Sequence, residues 1–326
     1  MRRITLLCLV LLCILAASAV PFACRGEEAV DNTAKASSQA DATYLLVGVD
    51  KASYSADVMM LVRVKEGALS FLQIPRDSLT AKGRRLNSLF AAACVKAKNE
   101  KASDREAYAA GGKVLQEALS DAFGITVSAH ATVTLEALAT LVDAIGGVDV
   151  TLERALDYHD PAQELSIHLA AGHQHLDGAA VEGLVRCRNA YPDADYGRMR
   201  AQRHLIAALF QKLRREFSPL TLISLFRKAY GEVETDLAFK EGLSLIRTLM
   251  AKEVSLSFAA LLGESISIGG ASMEVLAEKN LAKASAYLGG NFAPVCCRAL
   301  FLSQNEKANA LYFSENPPPF LCEEAA

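Results

Sequence analysis

The stretch YLLVGVDKASYSADVMMLVRVKEGALSFLQIPRD (44–77) decides the fold, because three short apolar runs follow one another in it. The runs are Tyr44–Val49, Val58–Val64 and Leu69–Ile74, and each has a length typical of a buried β-strand. Pro75 ends the third run, since proline cannot donate to the hydrogen-bond ladder of a sheet. We therefore predict that three neighbouring strands begin the folded part of the chain.

Helical and strand patterns alternate after this stretch. The predicted elements are a helix over Arg105–Phe123 that ends before Gly124, a strand over Val127–Val133, a helix over Leu135–Ile145 stopped by Gly146-Gly147, and strands over Val148–Leu152, Leu165–Leu169 and Ser265–Ile268. From Asp177 to about Met250 the pattern is mainly helical. This order is typical of an α/β fold, and we predict a three-layer α/β/α domain with a mixed central sheet.

The beginning of the chain is suited to a membrane. Arg2 and Arg3 precede an apolar run over 4–22, close to the roughly 20 residues that span a bilayer as a helix. The basic flank places the start of the chain in the cytoplasm. The alternatives to an uncleaved anchor are cleavage near Ala17-Ser18-Ala19 and lipidation at Cys24, and each exports residues 25–326. We expect a single-pass protein of the cell membrane whose domain is extracytoplasmic.

Composition divides the chain into four parts. They are a cytoplasmic end with one transmembrane helix (1–24), a flexible polar linker (25–42), the folded domain (43–290) and an irregular tail (291–326). The net charge of -3 argues against a nucleic-acid partner, because such proteins usually carry a basic surface. Phosphate binding would therefore depend on a local group of arginines rather than on the field of the whole protein.

Cysteine and histidine give little indication of a zinc site. The cysteines show no repeated CxxC spacing. The alternatives for them are a disulfide that joins the Cys296-Cys297 pair to Cys322, or buried free thiols. His173 and His175 have no third ligand at a suitable spacing, so we do not expect zinc there either.

An arginine-rich helix is the first candidate for a binding site. A helix that begins near Asp195 places Arg198 and Gln202 on the side of its apolar stripe, since successive residues rotate by about 100°. A buried arginine is costly unless it is paired, so Arg198 either forms an ion pair with Asp195 or faces an anion. The other arginines of the segment, which we predict to face solvent, are Arg200, Arg203 and Arg214.

Two more arginines precede this helix. Arg186 and Arg188 are two positions apart at the end of an apolar stretch that begins at Val181, and in an extended conformation both would point the same way. Guanidinium groups bind phosphate oxygens through two parallel hydrogen bonds. Several of them converging on one place would suit a diphosphate.

Strand ends contribute carboxylates. Asp50 ends the first predicted strand, Asp57 opens the second, and Arg76-Asp77 follows the third. Ligands of α/β sheets usually bind at strand ends and the adjoining loops. Two carboxylates with phosphate nearby suit Mg²⁺, although polar turn residues are an equally good interpretation of Asp50 and Asp57.

Seven motifs in this order resemble the LytR-CpsA-Psr family. They are LLVGVD (45–50), ADVMMLVRV (56–64), IPRDS (74–78), LVDAIGGVDV (141–150), LDG (176–178), LVRCR (184–188) and DYGRMRAQ (195–202). The similarity extends from about Tyr44 to about Gly290, and IPRD followed by DxGR is highly specific. Members have one membrane helix and an extracytoplasmic α/β/α domain, as predicted above.

The resemblance implies a phosphotransferase. Such enzymes move a glycopolymer from a polyprenyl-diphosphate carrier to peptidoglycan, and an apolar tunnel holds the prenyl tail. Asp50 and Asp57 would bind Mg²⁺, and Asp77 would orient the arginines or assist the acceptor hydroxyl. The residues that would hold the diphosphate are Arg76, Arg186, Arg188, Arg198 and Gln202. Arg76, Asp77 and Arg198 would act in catalysis.

The chain departs from the family pattern at two places, and both put its catalytic activity in question. The family commonly has a longer loop with an arginine between the two aspartates, whereas only 51–56 intervene here. It also often reads GRxxRQ, where this chain has Ala201 before Gln202. One alternative to a transferase is a prenyl-diphosphate hydrolase, in which water replaces the acceptor. The other is a non-catalytic protein that binds lipid-linked glycan, which the two departures make plausible.

Overall fold

The computed structural model describes residues 41–160, 165–188, 190–230, 233–249, 254–292, 300, 302–303 and 312–314. The strands are β1 (Ala42–Asp50), β2 (Ser55–Lys65), β3 (Ala68–Gln73), β4 (Val127–Thr134), β5 (Val148–Leu152), β6 (Leu156–Asp160), β7 (Leu165–Leu169), β8 (Gly172–Leu176), β9 (Glu234–Thr235), β10 (Ser255–Ala260), β11 (Gly263–Ile268), β12 (Ala271–Ala277), β13 (Leu302–Ser303) and β14 (Tyr312–Ser314). The helices are α1 (Asn87–Asn99), α2 (Asp104–Phe123), α3 (Leu135–Ala144), α4 (Gly178–Arg186), α5 (Asp195–Glu216), α6 (Pro219–Tyr230), α7 (Phe239–Leu249) and α8 (Glu278–Tyr287).

A mixed sheet forms the centre of the molecule. Its strand order is β14-β10-β3-β2-β1-β4-β9, with β1 antiparallel to β2 and parallel to β4. The three apolar runs form β1, β2 and β3 as predicted, and these strands pair with one another in sequence order. The α/β fold with a mixed central sheet is thereby confirmed.

Local signals explain where the early helices begin and end. Ser103 caps α2 and exchanges hydrogen bonds with Glu106, which satisfies amide groups that a helix leaves free at its start. Gly124 ends α2 with a φ of 60°, a conformation that suits glycine. Thr134 caps α3 by accepting a hydrogen bond from the Ala137 amide.

Helices cover both faces of the sheet. On one face α1, α2 and α8 bury an apolar core that includes Phe90, Leu115 and Leu281. On the other face α3 to α7 bury a second core that includes Leu184 and Leu209. Burial of apolar surface on both faces supplies most of the favourable free energy of folding.

The position of α5 corrects one prediction from the sequence. The helix lies between the sheet and the antiparallel pair of β5 and β8, so residues almost all round it are buried. Arg203, predicted to face solvent, is 9% exposed. That prediction was wrong because it assigned one apolar side to a helix that has neighbours on several sides.

Two further predictions need correction. The stretch that ends in Arg186 is helical, not extended, so Arg186 is the last residue of α4 and Arg188 follows the helix. Within 291–326, predicted to be irregular, the short strands β13 and β14 pair with β12 and β10.

Some predictions fall on residues that the structure does not describe. They include the anchor over 1–24, most of the linker, and the Cys296, Cys297 and Cys322 thiols. In the described ranges, no helix has the length and apolar character needed to span a bilayer. Cys94 and Cys187 are buried free thiols, and burial raises the pKa of Cys94 to about 12.

Candidate active site

Arg76 lies at the centre of a charged cluster beside the end of β3. Its guanidinium donates a hydrogen bond to Asp57, and its Nε lies 3.7 Å from Oδ2 of Asp77. Asp57 lies at a bulge in the β1–β2 pairing, where it also accepts a hydrogen bond from Ser55 Oγ at 2.8 Å. Arg85 Nε is 3.3 Å from the other carboxylate oxygen of Asp77. The structure thus joins two of the predicted strand-end charges directly.

Arg198 enters the cluster from the first turn of α5. Its side chain is 3% exposed, and Nη2 lies 2.6 Å from Oδ1 of Asp195. Gly197 allows this turn to pack closely, because a Cβ there would lie 2.3 Å from Tyr191. The ion pair with Asp195 that the sequence offered is present, and binding of an anion by Arg198 stays a prediction.

The cluster holds most of the buried polar atoms that lack a hydrogen bond. In the described ranges eight such side-chain atoms occur, and five belong to four residues of this cluster: Arg76 Nε, Asp77 Oδ1, Asp195 Oδ1, and Nε and Nη2 of Arg198. The Arg198–Asp195 ion pair is short, but its geometry does not make a hydrogen bond. Buried polar groups are rarely left without hydrogen bonds, so these atoms make the cluster a candidate site for a polar ligand.

The pKa values of Arg76 and Arg198 are shifted in opposite directions. Burial, together with the charge of Arg76, holds the pKa of Arg198 below its usual range, although Asp195 acts in the opposite direction. Burial also opposes the charge of Arg76, but the carboxylates of Asp57 and Asp77 raise the pKa of that side chain. A buried guanidinium with insufficient countercharge, as in Arg198, is suited to an anion.

The remaining predicted phosphate ligands lie around the same place. Arg188 is exposed, and its charge acts on Arg198. Arg186 pairs with Glu182 at 3.1 Å and, with Asp57 and Gln202, lines an apolar cavity. The structure therefore brings the predicted diphosphate set to one region.

The apolar cavity lies between the sheet and helices α3 and α5. Its volume is about 90 Å³, and its walls include Leu46, Val58, Leu138, Ile206 and Leu209. Asp57, Arg186 and Gln202 also line the cavity, and the rest of its wall is almost wholly apolar. Such a cavity can take an apolar chain whose polar end remains at the arginines.

Gln202 has structural partners that the sequence did not reveal. It donates to the carbonyl of Val185 at 3.1 Å and accepts from Gln73 at 2.7 Å. Gln73 in turn accepts from the buried guanidinium of Arg203 at 2.7 Å. Gln73 is a long polar side chain in β3, whose other residues are apolar except for Ser70, and that irregularity was the available signal.

Glu274 and Tyr196 are further neighbours that sequence reasoning missed. The Tyr196 hydroxyl donates to Oε2 of Glu274 at 2.8 Å and accepts from the Gly263 amide at 2.8 Å. Burial raises the pKa of Glu274, and the negative charges of Asp77 and Asp195 act in the same direction. Glu274 reaches the site through the pairing of β12 with the segment after β3, a contact that leaves no local pattern.

The two predicted magnesium ligands differ in their surroundings. Asp57 lies within the arginine cluster, but both carboxylate oxygens of Asp50 accept hydrogen bonds from its own turn, from the Ala52 amide and Ser53 Oγ at 3.0 Å each. Among the residues that the structure describes, no three or more His, Cys, Asp or Glu side chains form a metal-binding group. Mg²⁺ often takes only one or two carboxylates with phosphate and water, so Asp57 fits this ion better than Asp50 does.

Comparisons with known proteins identify the family of this chain. The chain matches the model of the LytR_cpsA_psr family over residues 17–288. Biofilm regulatory protein A of Streptococcus mutans is 27% identical over 284 residues, which cover 76% of this chain and 62% of that protein. A Bacillus mycoides protein named polyisoprenyl-teichoic acid--peptidoglycan teichoic acid transferase TagU is 29% identical over 211 residues, 62% of this chain and 60% of that protein.

A solved structure has the same fold. The structure described as TagT bound to LIIa-WTA superposes with a TM-score of 0.59 at 20% sequence identity, over 81% of this chain and 95% of that one. At this identity the likeness concerns the fold alone. The chain spans about three fifths of the length of the two curated relatives.

Proposed function

Because the chain belongs to the LytR_cpsA_psr family, we propose that it is a phosphotransferase of cell-wall assembly. It would move a glycopolymer, such as a teichoic acid or capsule polymer, from a polyprenyl-diphosphate carrier to peptidoglycan. The TagU relative is named for a reaction of this kind. The observation that carries the proposal is the group of five buried polar atoms without hydrogen bonds at Arg76, Asp77, Asp195 and Arg198.

The charges of the cluster suit a diphosphate. Nε of Arg198 and Nε of Arg76 make no hydrogen bond, and Nη2 of Arg198 has an ion pair but no hydrogen bond. Phosphate oxygens are acceptors that bind guanidinium groups strongly. Arg188 adds an exposed positive charge close by. A bound diphosphate would replace the missing countercharge of Arg198, so binding and catalysis would use the same groups.

The transfer step can be written from these residues. An acceptor hydroxyl oxygen attacks the phosphorus next to the glycan, the bond to the bridging oxygen breaks, and prenyl phosphate leaves. Arg76 and Arg198 stabilise the negative charge that builds on the phosphate oxygens. Asp77 Oδ1, which lacks a hydrogen bond, accepts the proton of the acceptor hydroxyl. Mg²⁺ held by Asp57, and by Asp50 if its turn opens, would neutralise further phosphate charge.

The apolar cavity would bind part of the prenyl carrier. We assign the first part of the prenyl chain to it, because Asp57, Arg186 and Gln202 line the same cavity as Leu205 and Leu209. The carrier is a membrane lipid, so the proposal also places the protein at the cell membrane. Residues 1–24 would anchor it as a single pass with the domain outside the cytoplasm.

Product analysis tests the proposal. Full-length protein is supplied with Mg²⁺, a prenyl-diphosphate-linked glycan and a peptidoglycan oligosaccharide. We expect a glycan joined to the acceptor by a phosphodiester, and at least a hundredfold less of it with Asp57→Ala. Arg215→Gln, an exposed change on α5, is the control. Release of free phosphoglycan would instead indicate a hydrolase, and binding without any product would indicate a non-catalytic protein.

A further inference from the structure

The first turn of α5, which carries Asp195 and Arg198, is not stabilised by its own cap. Ala194 occupies the cap position, where a methyl side chain cannot accept a hydrogen bond from the helix amides. Its φ of 47° and ψ of -108° are also unfavourable for a residue that has a side chain. The position of this turn therefore depends on contacts with other parts of the chain.

Tyr196 provides such a contact from within the turn. Its hydroxyl donates to Oε2 of Glu274 at 2.8 Å and accepts from the Gly263 amide at 2.8 Å. The other carboxylate oxygen of Glu274, Oε1, accepts from Ser265 Oγ. Glu274 is half-buried on β12, so a strand distant in sequence holds the start of α5.

The backbone of Glu274 contacts the segment that follows β3. Its amide donates to the Asp77 carbonyl at 2.9 Å, and its carbonyl accepts from the Leu79 amide at 2.8 Å. Two residues earlier on β12, the Ser272 carbonyl accepts from Nε of Arg85 at 3.0 Å. The same Nε lies 3.3 Å from Oδ1 of Asp77. β12 therefore restrains both the backbone and the carboxylate of Asp77.

Glu274 thus joins two parts of the charged cluster that are far apart in sequence. Its backbone is bonded to Asp77, and its carboxylate is bonded to Tyr196, two residues before Arg198. Burial raises the pKa of Glu274, and the charges of Asp77 and Asp195 act in the same direction, as expected for a carboxylate close to both parts. Phosphoryl transfer depends on alignment, and a displacement of about 1 Å can cost about a hundredfold in rate.

We propose that Glu274 is a positioning residue, which holds Arg198 and Asp77 at the separation that transfer requires through its bonds to Tyr196 and to the Asp77 backbone. It would act through these neighbours and not on the substrate. Its effect on transfer rests on the proposed function, whereas its effect on the first turn of α5 does not.

Four variants of the full-length protein test this role. Glu274→Ala removes the carboxylate, and Tyr196→Phe removes only the hydroxyl that it binds, which also tests the contact if Glu274→Ala does not fold. Glu274→Gln keeps an oxygen for Tyr196 and an amide that can donate to Ser265. Glu264→Ala is the matched control, because it makes the same change at an exposed position of the paired strand β11. Circular dichroism checks that each variant is folded.

Turnover is measured with a prenyl-diphosphate-linked glycan and a peptidoglycan oligosaccharide, and is expressed per diphosphate-binding site. In Glu274→Ala and Tyr196→Phe, kcat should fall by about tenfold or more while KM for the glycan stays within about twofold, because alignment is lost and the binding groups remain. Glu274→Gln should keep kcat within about threefold of wild type. The double variant Tyr196→Phe/Glu274→Ala should be no slower than the slower single variant, since both changes break one contact.

Amide hydrogen exchange measures the position of the turn without catalysis. Exchange over 195–199 should be about tenfold faster in Glu274→Ala and Tyr196→Phe than in wild type, and unchanged in Glu264→Ala. Unchanged exchange in both variants, or an unchanged kcat, would overturn the positioning role. A Glu274→Gln variant as slow as Glu274→Ala would also overturn it, because the hydrogen bonds would then not be responsible. If exchange responds as expected but wild type forms no product, Glu274 still holds the turn and the proposed phosphotransferase function fails.

Discussion

Two buried charged clusters in this protein differ in whether their polar atoms are hydrogen-bonded. Around His130 the ring Nε2 contacts Glu234 at 3.1 Å, and Nδ1 contacts Gln116 at 3.0 Å and Asp236 at 3.2 Å. No polar atom of these four residues is among the unbonded buried atoms of the described ranges. Arg198 and its neighbours have five. Burial and charge alone therefore do not mark a ligand site, whereas missing partners do.

The difference has a physical consequence. Burying a charge costs several kcal/mol unless hydrogen bonds and countercharge compensate for it. At His130 the compensation comes from the protein itself, so the cluster can stabilise the fold. At Arg198 the compensation is incomplete, and under the proposed function a bound diphosphate would supply it. Each cluster should respond to substitution in its own way.

The largest effect is expected from His130→Ala. It leaves Glu234, which is 7% exposed, without its buried partner, and should lower the free energy of unfolding by about 3–5 kcal/mol. Chemical denaturation checks this value. His168→Ala is the control, because its pair with Asp157 is largely exposed, and it should change stability by less than about 0.5 kcal/mol. Equal stability of the two variants would remove the contrast drawn between the clusters.

Arg198→Met should lower turnover strongly and change stability little, in contrast to His130→Ala. Turnover of a prenyl-diphosphate glycan should fall by about 10²–10³-fold, because a donor to the transition-state charge is lost. Stability should stay within about 1 kcal/mol of wild type or rise, since a buried and poorly compensated charge is replaced by an apolar side chain, and Asp195, whose side chain is 27% exposed, keeps contact with solvent. Steady-state kinetics and denaturation on the same preparation measure both. A large loss of stability with normal turnover of the folded fraction would make Arg198 a structural residue.

Raising the pH should weaken the His130 cluster. Burial alone would lower the pKa of His130, but hydrogen bonds to Asp236 and Glu234 raise it to about 9. A folded-state pKa above the unfolded value means that the stabilisation is complete below about pH 6.5 and is lost as the pH rises through 9. Between pH 7 and 9 about 2 kcal/mol should disappear. His130→Ala should lack this dependence, and an equal slope in both proteins would contradict the assignment.

The sequence predicted the fold from local patterns. Apolar runs indicated β1 to β3, and Gly124 and Gly146-Gly147 indicated where two helices end. Contacts between distant parts of the chain leave no such pattern. The parallel pairing of β3 with β10 joins residues 187 positions apart, as in Ser70 and Ser257. The weakly amphipathic, alanine-rich α1 also escaped prediction for lack of a periodic signal.

The sequence also predicted part of the candidate site, but not the features that depend on contacts between distant residues. Charged residues that punctuate apolar elements, such as Asp57, Arg76 and Arg198, indicated a common location, and the structure brings them together. Their catalytic roles remain predictions. The sequence could not show that Arg203 is buried, because that follows from the packing of α5 against several elements at once.

Backbone conformation adds a last contrast between the clusters. Ala194, directly before α5, has φ 47° and ψ -108°, whereas no residue of the His130 cluster has a positive φ. Residues with a side chain pay about 1–3 kcal/mol for such a conformation. The turn that presents Asp195 and Arg198 is therefore held under strain, which glycine would relieve.

Ala194→Gly should raise the free energy of unfolding by about 0.5–1 kcal/mol, because relief of strain exceeds the extra entropy that glycine gives the unfolded chain. Ala194 is exposed, so the lost methyl group costs no buried contact. The same substitution at the exposed Ala52, where φ is not positive, should lower stability instead. A fall in turnover of a few-fold with Ala194→Gly would mean that the strain helps to position Arg198. If both variants lose stability equally, Ala194 stores no strain, and only the unbonded atoms distinguish the two clusters.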